Sequence, residues 1–355
     1  MDGMMSRERV LIAGRRGKPD RVPRDLQFER RVEAMMRNYY GKEDLIAATR
    51  SDIVDIGPNP SRFPQNYVSY FSREGVSWDE WGRGRVWDSE DHYAEYLYPL
   101  EKAETVAEIL NYPWPDLDAA YRYAGLDEKV ANLHAQGYAV RGSADVSETV
   151  FEIAWQLRSM DRLFQDMFYD EEMASALLDQ IILRNTVQAE AYARAGVDIL
   201  YVGDDVAMQT GLMISRKLWS KWLQPRLGLV IQAARRINPQ LLVQYHSDGK
   251  INDLIPGLIE VGVDILNPVQ PECVDHHWVK EQYGNRLAFD AGLGVQSVLP
   301  FGTPRDVRNH VREVIDTLGA GGGLIIGPSH VIERDTPLEN ILAMIEAIDE
   351  YGGYA

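Results

Sequence analysis

The chain is short of cysteine, of positive charge and of long apolar runs, and each shortage closes off a class of protein. Its single cysteine, Cys273, cannot make an internal disulfide, so no disulfide framework is expected. No apolar stretch approaches the ~20 residues that a membrane-spanning helix requires. The first residues, MDGMMSRERVLIAGRRGKPD, carry arginines but lack the continuous apolar centre of a signal peptide. Lys and Arg number 37 against 54 Asp and Glu, a formal net charge of -17. That balance opposes attraction to nucleic-acid phosphates or anionic lipid. Neither GxGxxG after the first predicted strand nor GxxxxGK[ST] occurs, which removes the dinucleotide and P-loop fingerprints. The expectation is a cytoplasmic protein with no nucleic-acid and no membrane partner.

What remains is an ordinary globular composition, 45% apolar and 26% charged. With no low-complexity linker and no internal repeat, residues 1–355 read as one domain. Strand-like runs at 22–28, 52–56, 138–141, 197–202, 241–245, 263–266, 287–289 and 323–326 alternate with helical periodicity. Eight strands interleaved with helices predict an α/β fold of the (β/α)₈ TIM barrel type. Residues 59–100 break the alternation with dense Pro, Gly, Tyr and Trp at a period near two, which predicts an aromatic-rich antiparallel β insertion over one end of the barrel. Its Trp78, Trp81 and Trp87 either stack on a flat ligand or pack a small lid sheet.

In such a barrel the chemistry sits at the C-terminal ends of the strands. Four runs end on polar clusters: Asp204 and Asp205, then His246, Ser247 and Asp248, then Asn267 and Gln270, and finally His330. His246, Asp248 and His330 would make a two-imidazole, one-carboxylate metal site with open positions; the plainer reading is a histidine bonded to its neighbouring carboxylate. Asp204 and Asp205 are an acidic pair from which one member is a candidate general acid or base, the alternative being a helix cap and a surface charge. Asn267, Gln270 and Gln209 are candidate amide contacts to a polar substrate. Arg24, in the first strand, is a candidate carboxylate binder or else an ion-pair partner of Asp25 or another acid.

These same residues resemble the uroporphyrinogen decarboxylase superfamily, and within it the corrinoid-linked methyltransferase branch. The resemblance is carried by YPWPD at 112–116, GVDILYVGDDVAMQ at 196–209, HSDGKINDLIPGLIEVGVDILNPVQP at 246–271, LPFGTPRDV at 299–307 and GGGLIIGPSHVIERDTPLENILAM at 321–344. It implies the same barrel and suggests a homodimer. In the thiol-charging methyltransferases an HxC pair and a later Cys hold zinc. Here His246 matches the His, Asp248 stands where the first Cys would be, and His330 falls where the later Cys is expected. Exchanging thiolates for carboxylate and imidazole hardens the site, so zinc is expected, with Fe(II) or Mn(II) as alternatives.

The function this implies is a metal-dependent methyltransferase that demethylates a small substrate together with a corrinoid protein or related one-carbon carrier. Asp204 or Asp205 would manage a proton, and Arg24, Gln209, Asn267 and Gln270 would contact substrate. No DxHxxG pattern is present, so the corrinoid would arrive on a separate protein. The alternative is a decarboxylase of the porphyrin (heme) pathway, in which Asp52 would answer to the family's pyrrole-binding aspartate. Against it, VPRDLQF and VRGSADVSET stand where the decarboxylase signatures would be. A barrel that binds a methylated metabolite without turnover is the third reading.

Overall fold

In the computed structural model, which describes residues 3–62, 65–87, 93–143 and 148–354, one curled sheet organises the chain. The strands in chain order are β1 (Ile53–Ile56), β2 (Ser77–Trp78), β3 (Gly84–Trp87), β4 (Tyr93–Leu97), β5 (Ala139–Gly142), β6 (Ile199–Gly203), β7 (Ala207–Met208), β8 (Gly211–Leu212), β9 (Leu242–His246), β10 (Ile265–Asn267), β11 (Ala288–Leu293) and β12 (Leu324–Pro328). Seven of them form the sheet in the order β1-β5-β6-β9-β10-β11-β12, with every pairing parallel. Helices cross between them, as parallel pairing demands.

The predicted first strand is extended but irregular. Between β12 and β1, the Asp25 N–H donates to Ile326 O (3.0 Å), Ile326 N–H to Pro23 O (2.8 Å), and Asp52 N–H to Arg24 O (2.9 Å). Only isolated bridges, Arg24 to Ile326 and Phe28 to Ile332, are recorded there. Pro23 has no N–H to give, so a regular ladder cannot form through it. This segment links the two edge strands and makes the sheet a TIM-like barrel.

Helix breaks also follow local chemistry. The periodic stretch at 151–169 divides into Phe151–Arg158 and Met160–Tyr169 at Ser159, which has φ 66°. The stretch at 216–237 divides at Leu223, ahead of Pro225. The stretch at 28–49 becomes Arg30–Tyr40 and Leu45–Thr49, separated by Gly41 at φ 60°. In the aromatic segment, β2, β3 and β4 pair as a small antiparallel sheet; residues 63–64 and 88–92 of that segment lie outside the described residues. Trp81 is fully buried, Trp78 stacks on Phe71 and Trp87 is 47% exposed. None of the three lines the barrel cavity, so ligand stacking there is not their role.

Inside the barrel, side chains alternate inward along each strand and build layers. Ile53, Ala139, Ile199, Leu242, Ile265, Ala288 and Ile325 form an apolar floor, which Val10 and Ala13 of the helix Ser6–Gly14 close from below. Two residues further along the strands the inward positions are polar: Asp55, Arg141, Tyr201, Gln244, Asn267 and Asp290. On β12 that position is Gly327, where an added Cβ would overlap the carbonyl oxygen of Asp25. A side chain there collides with backbone, and the closing segment has to move. Gly327→Ala is therefore expected to lower stability by about 1–3 kcal/mol, read from the midpoint of urea unfolding; an unchanged midpoint would show that the segment does not pack as described.

Candidate functional site

The polar layer is the base of a cavity of about 470 Å³ lined by residues that include Asp25, Asp55, Arg141, Tyr201, Asp205, His246, Asn267, Asp290 and His330. At its centre Arg141 is fully buried and holds Asp55 bidentately (Nε to Oδ1 2.6 Å, an Nη to Oδ2 2.9 Å). Its other Nη donates to Asp25 Oδ2 (2.5 Å) and to Gln244 Oε1 (3.3 Å). The guanidinium lies 4.9 Å from the Tyr201 ring centroid and 3.7 Å from Asp290 Oδ2. Gln244 Nε2 in turn donates to Asp290 Oδ2 (2.5 Å).

One guanidinium is too little charge for the two buried carboxyls of Asp25 and Asp290 together with the more exposed Asp55. Burial, reinforced by the charge of Asp25, pushes the Asp290 carboxyl up to about 8, against the pull of Arg141. Burial raises Asp25 as well, with Arg141 opposing.

Above this layer, at the C-terminal mouth, Asp205, His246 and Asp248 converge, each offering a ligand atom within 4.8 Å of the others. His246 Nε2 is 3.8 Å from Asp205 Oδ1 and 3.9 Å from Asp248 Oδ1. His246 Nδ1 lies 2.6 Å from Asn267 Oδ1. That amide is oriented by the Tyr201 hydroxyl, which donates to the same oxygen at 3.4 Å, and by the Asp290 carbonyl facing its nitrogen at 3.5 Å. An amide oxygen only accepts, so Nδ1 carries a proton, and in the neutral imidazole the Nε2 lone pair faces the two carboxylates. This is the tautomer a metal needs, fixed by its partner on the other nitrogen. The backbone N–H of Asp248 donates to Asp205 Oδ1 (2.8 Å), and that of Asp205 to Glu152 Oε2 (2.9 Å). Burial first, then the charge of Asp205, raises Glu152 to about 7, and burial raises Asp248. Three acids gathered without a counter-charge suit a divalent cation, and the donor set, one imidazole and two carboxylates, is a recurrent metal-binding one.

The other sequence candidates fall in different places. His330 is exposed on the rim, lining both this cavity and a neighbouring one of about 480 Å³ that also holds Asp248 and Gln270. It lies outside the converging trio; Asp205 occupies the third place instead. Asp204 is turned away from the cavity and accepts the N–H groups of Val150 and Glu152 (both 3.0 Å), which makes it the cap of the helix Phe151–Arg158. Arg24 points outward, pairing with Asp349 and donating to Thr49 O (3.2 Å). Strand alternation sends Arg24 out and Asp25 in, so the two do not pair with each other. Gln209 is exposed and bonded to Gln296. Gln270 is buried, accepting from the Gly249 N–H (3.1 Å) and donating to Gln296 (3.0 Å). Asp52 is at the opposite, N-terminal end, held by Arg9 and Arg21, and cannot reach a ligand in the cavity. The candidate decarboxylase counterpart at 140–149 includes residues 144–147, outside those described.

Fold and site together define a parallel, TIM-like α/β barrel with a polar interior and a mouth where Asp205, His246 and Asp248 converge. Residues 148–351, more than half of the chain, match the family model described as uroporphyrinogen decarboxylase; the chain belongs to that family. It is 26% identical to the methylated-thiol–coenzyme M methyltransferase of Methanosarcina mazei over 56% of this chain and 51% of that protein. It is also 26% identical to the methylcobamide:CoM methyltransferase MtaA of Methanosarcina barkeri, over 49% of each chain. Identity to the uroporphyrinogen decarboxylase of Legionella pneumophila is 23%, over 54% of this chain and 52% of that one. The chain thus spans about half the length of the curated relatives it matches. Among solved structures, a methyltransferase from Methanosarcina mazei superposes with a TM-score of 0.68 at 18% identity, covering 98% of this chain and 99% of that one. That likeness supports the fold.

Asp290 gives the layer a pH signature. Its ordinary value is 3.8 and its value in the fold is about 8, so between the two the folded chain keeps a proton that the unfolded chain has lost. Its contribution is complete below about pH 4 and is lost as pH rises toward 8, on the order of a few kcal/mol. In thermal melts from pH 5 to pH 8.5, Asp290→Asn is expected to lose less stability than the wild type; parallel curves would refute the assignment.

Proposed function

We propose that this protein is a metal-dependent methyltransferase that takes a methyl group from a small substrate and works with a corrinoid protein or a related one-carbon carrier. The observation that carries the reading is the convergence of Asp205, His246 and Asp248 at the barrel mouth, with the His246 tautomer set by Asn267. The similarity to two coenzyme M methyltransferases supports it. In this reading Asp205, His246 and Asp248 hold zinc, with Fe(II) or Mn(II) as alternatives, and His330 is the competing third ligand. When bound, the metal supplies Lewis acidity toward the atom that carries or receives the methyl group.

The chain's own residues do the rest. Asn267 keeps His246 in place and holds the proton on Nδ1. Glu152, raised to about 7 and bonded to the Asp205 N–H, is placed to take up or release a proton at the cavity wall. Tyr201 and Asn267 offer polar contacts to the substrate from the layer beneath. Gln270 orders the loop that carries Asp248, through the Gly249 N–H, rather than touching substrate itself. The segment at 59–100 serves as a β insertion beside the mouth, a placement supported by the Arg83–Glu148 ion pair, whose glutamate lines the cavity. The porphyrinogen alternative loses its main residues, since Arg24 and Asp52 lie outside the cavity and the only Lys or Arg among its described lining residues, Arg141, is already paired.

Metal content by plasma mass spectrometry tests this directly, on protein purified without a histidine tag. About one equivalent is expected in the wild type, absent from His246→Ala and Asp248→Ala. Asp205→Ala is expected to lose metal while His330→Ala keeps it; the reverse would restore His330 as the third ligand. Asn267→Leu is expected to weaken metal affinity about 10–100-fold. A wild type without metal even after reconstitution removes the premise. Methyl transfer to a cobalamin acceptor from a panel of methylated thiols, amines and ethers then names the donor.

A further inference from the structure

A strap of side-chain amides runs along one side of the mouth. Gln296, on the loop that leaves β11, accepts on Oε1 from Gln270 Nε2 (3.0 Å) and from Gln209 Nε2 at the tip of the β7–β8 hairpin. Gln270 accepts in turn from the Gly249 N–H (3.1 Å), next to Asp248, and the Lys250 N–H donates to Met208 O on the hairpin (3.0 Å). One side chain therefore joins the hairpin, the β11 loop and the loop that carries Asp248.

The loop that carries Gln296 is itself held by a titratable group. His310, on the helix Pro304–Leu318, accepts the Gly294 N–H on Nε2 (3.3 Å). Ser297 Oγ donates to Glu272 (2.6 Å), whose carboxylate also packs closely on Gly294. Just before it the chain turns through Ala291 (φ 80°) and Gly292 (φ 100°), a costly conformation for alanine that persists only where the surroundings impose it.

An imidazole nitrogen accepts only while it is unprotonated. Once charged, Nε2 and the Gly294 N–H are two donors facing each other, and the bond is lost. Burial is the largest influence on His310 and lowers it from its ordinary 6.5, while Glu313 on its own helix, Glu272 on the loop after β10 and the Gly292 backbone favour the charged form. His310 Nδ1 lies 3.9 Å from Glu313 Oε2. His276, on the helix His276–Tyr283, is lowered by burial too, and the charge of His310 opposes its own. A histidine lowered in the fold favours the closed arrangement above its ordinary value, and that advantage is lost as pH falls below about 6.5.

We propose that His310 is a pH-sensitive latch on the mouth: neutral, it holds the β11 loop and, through Gln296, the hairpin and the Asp248 loop; protonated, it releases Gly294 and the strap loosens. The inference rests on the reading of the mouth as the functional site, and it makes access to that site depend on mild acid.

Hydrogen exchange followed by mass spectrometry tests it on metal-free full-length protein at pH 5 and pH 7.5, with each rate normalised to that of the unfolded chain at the same pH. Protection of residues 294–299 and 207–212 is expected to fall on the order of tenfold at pH 5. In His310→Gln an amide oxygen takes the Gly294 N–H with no proton to gain, so protection should be the same at both pH values. If that variant does not fold, Glu313→Gln decides: this side chain is 69% exposed, and removing its charge should move the loss of protection to lower pH. Gln296→Ala is expected to leave 207–212 weakly protected at both pH values, while 294–299 keeps its dependence. Equal protection at both pH values in the wild type overturns the proposal. So does a pH dependence that survives in His310→Gln, an unmoved midpoint in Glu313→Gln, or a hairpin unaffected by Gln296→Ala. The readout needs neither metal nor methyl donor: a working latch in a protein that binds no metal would sink the methyltransferase reading alone, and metal binding beside a pH-independent strap would sink this inference alone.

Discussion

The barrel interior depends on one buried guanidinium. Arg141 projects from β5 into the base of the cavity, and there it binds Asp55 on β1, Asp25 on the closing segment and Gln244 on β9, which in turn binds Asp290 on β11. A lysine could not do this, because the contact to Asp55 is bidentate and the plane also lies against Tyr201. Burying such a charge is costly unless its donors are satisfied, and here acids on two strands and one irregular segment satisfy them. The segment around Arg24 and Asp25 has only isolated bridges to the sheet, so the Asp25–Arg141 bond is part of what keeps the two edge strands together.

The same interaction sets the height of the functional layer. Below it, apolar inward residues and the helix Ser6–Gly14 seal the floor. Above it, one more step along each strand reaches His246 and, at the strand ends, Asp205 and Asp248. Asn267 joins the two levels, since it belongs to the polar layer and holds His246 Nδ1. Of the metal-capable trio, His246 is positioned by a strand through a rigid intermediate, while Asp205 and Asp248 sit on the loops that follow β6 and β9, the second tied down by Gln270. Preorganisation of this kind keeps ligand atoms near their working places without a bound ion to hold them.

Much of this is legible in the sequence, but only where polar residues end an apolar run. His246, Asp248 and Asp205 are visible because they follow strands, and they do meet. Which of two neighbouring aspartates faces inward is not visible: Asp204 and Asp205 differ only in whether strand geometry or helix capping claims the side chain, and Val150 with Glu152 claims Asp204. The larger omission lies inside the strands. Parallel strands buried on both faces normally read as near-continuous apolar runs, yet Asp55, Arg141, Tyr201, Gln244, Asn267 and Asp290 each interrupt one, in every case at the third position of the strand. That repeated interruption is the signal for a polar layer, and it is as regular as the strand ends. Arg24 illustrates the opposite error, since a charged residue in a strand faces inward or outward by a register the sequence alone does not reveal. The break at Pro23 and the strand ends at Asn267 and Gln270 carry their own local explanations in missing or satisfied backbone N–H groups.

The acidity of the chain acquires its meaning only at this scale. A formal charge of -17 spread over a surface is screened over about 8 Å in physiological salt, and by itself says little about what enters a cavity. Carboxyls inside the barrel are not screened in that way. There the buried carboxyls of Asp25 and Asp290, with the more exposed Asp55, share a single guanidinium, and burial together with the charge of Asp25 pushes the Asp290 carboxyl up to about 8. A ligand that brings positive charge relieves this crowding of acids, and one that brings carboxylates adds to it. Under the proposed function, what counts against a polycarboxylate substrate is Arg141 being already taken, more than the composition of the chain as a whole.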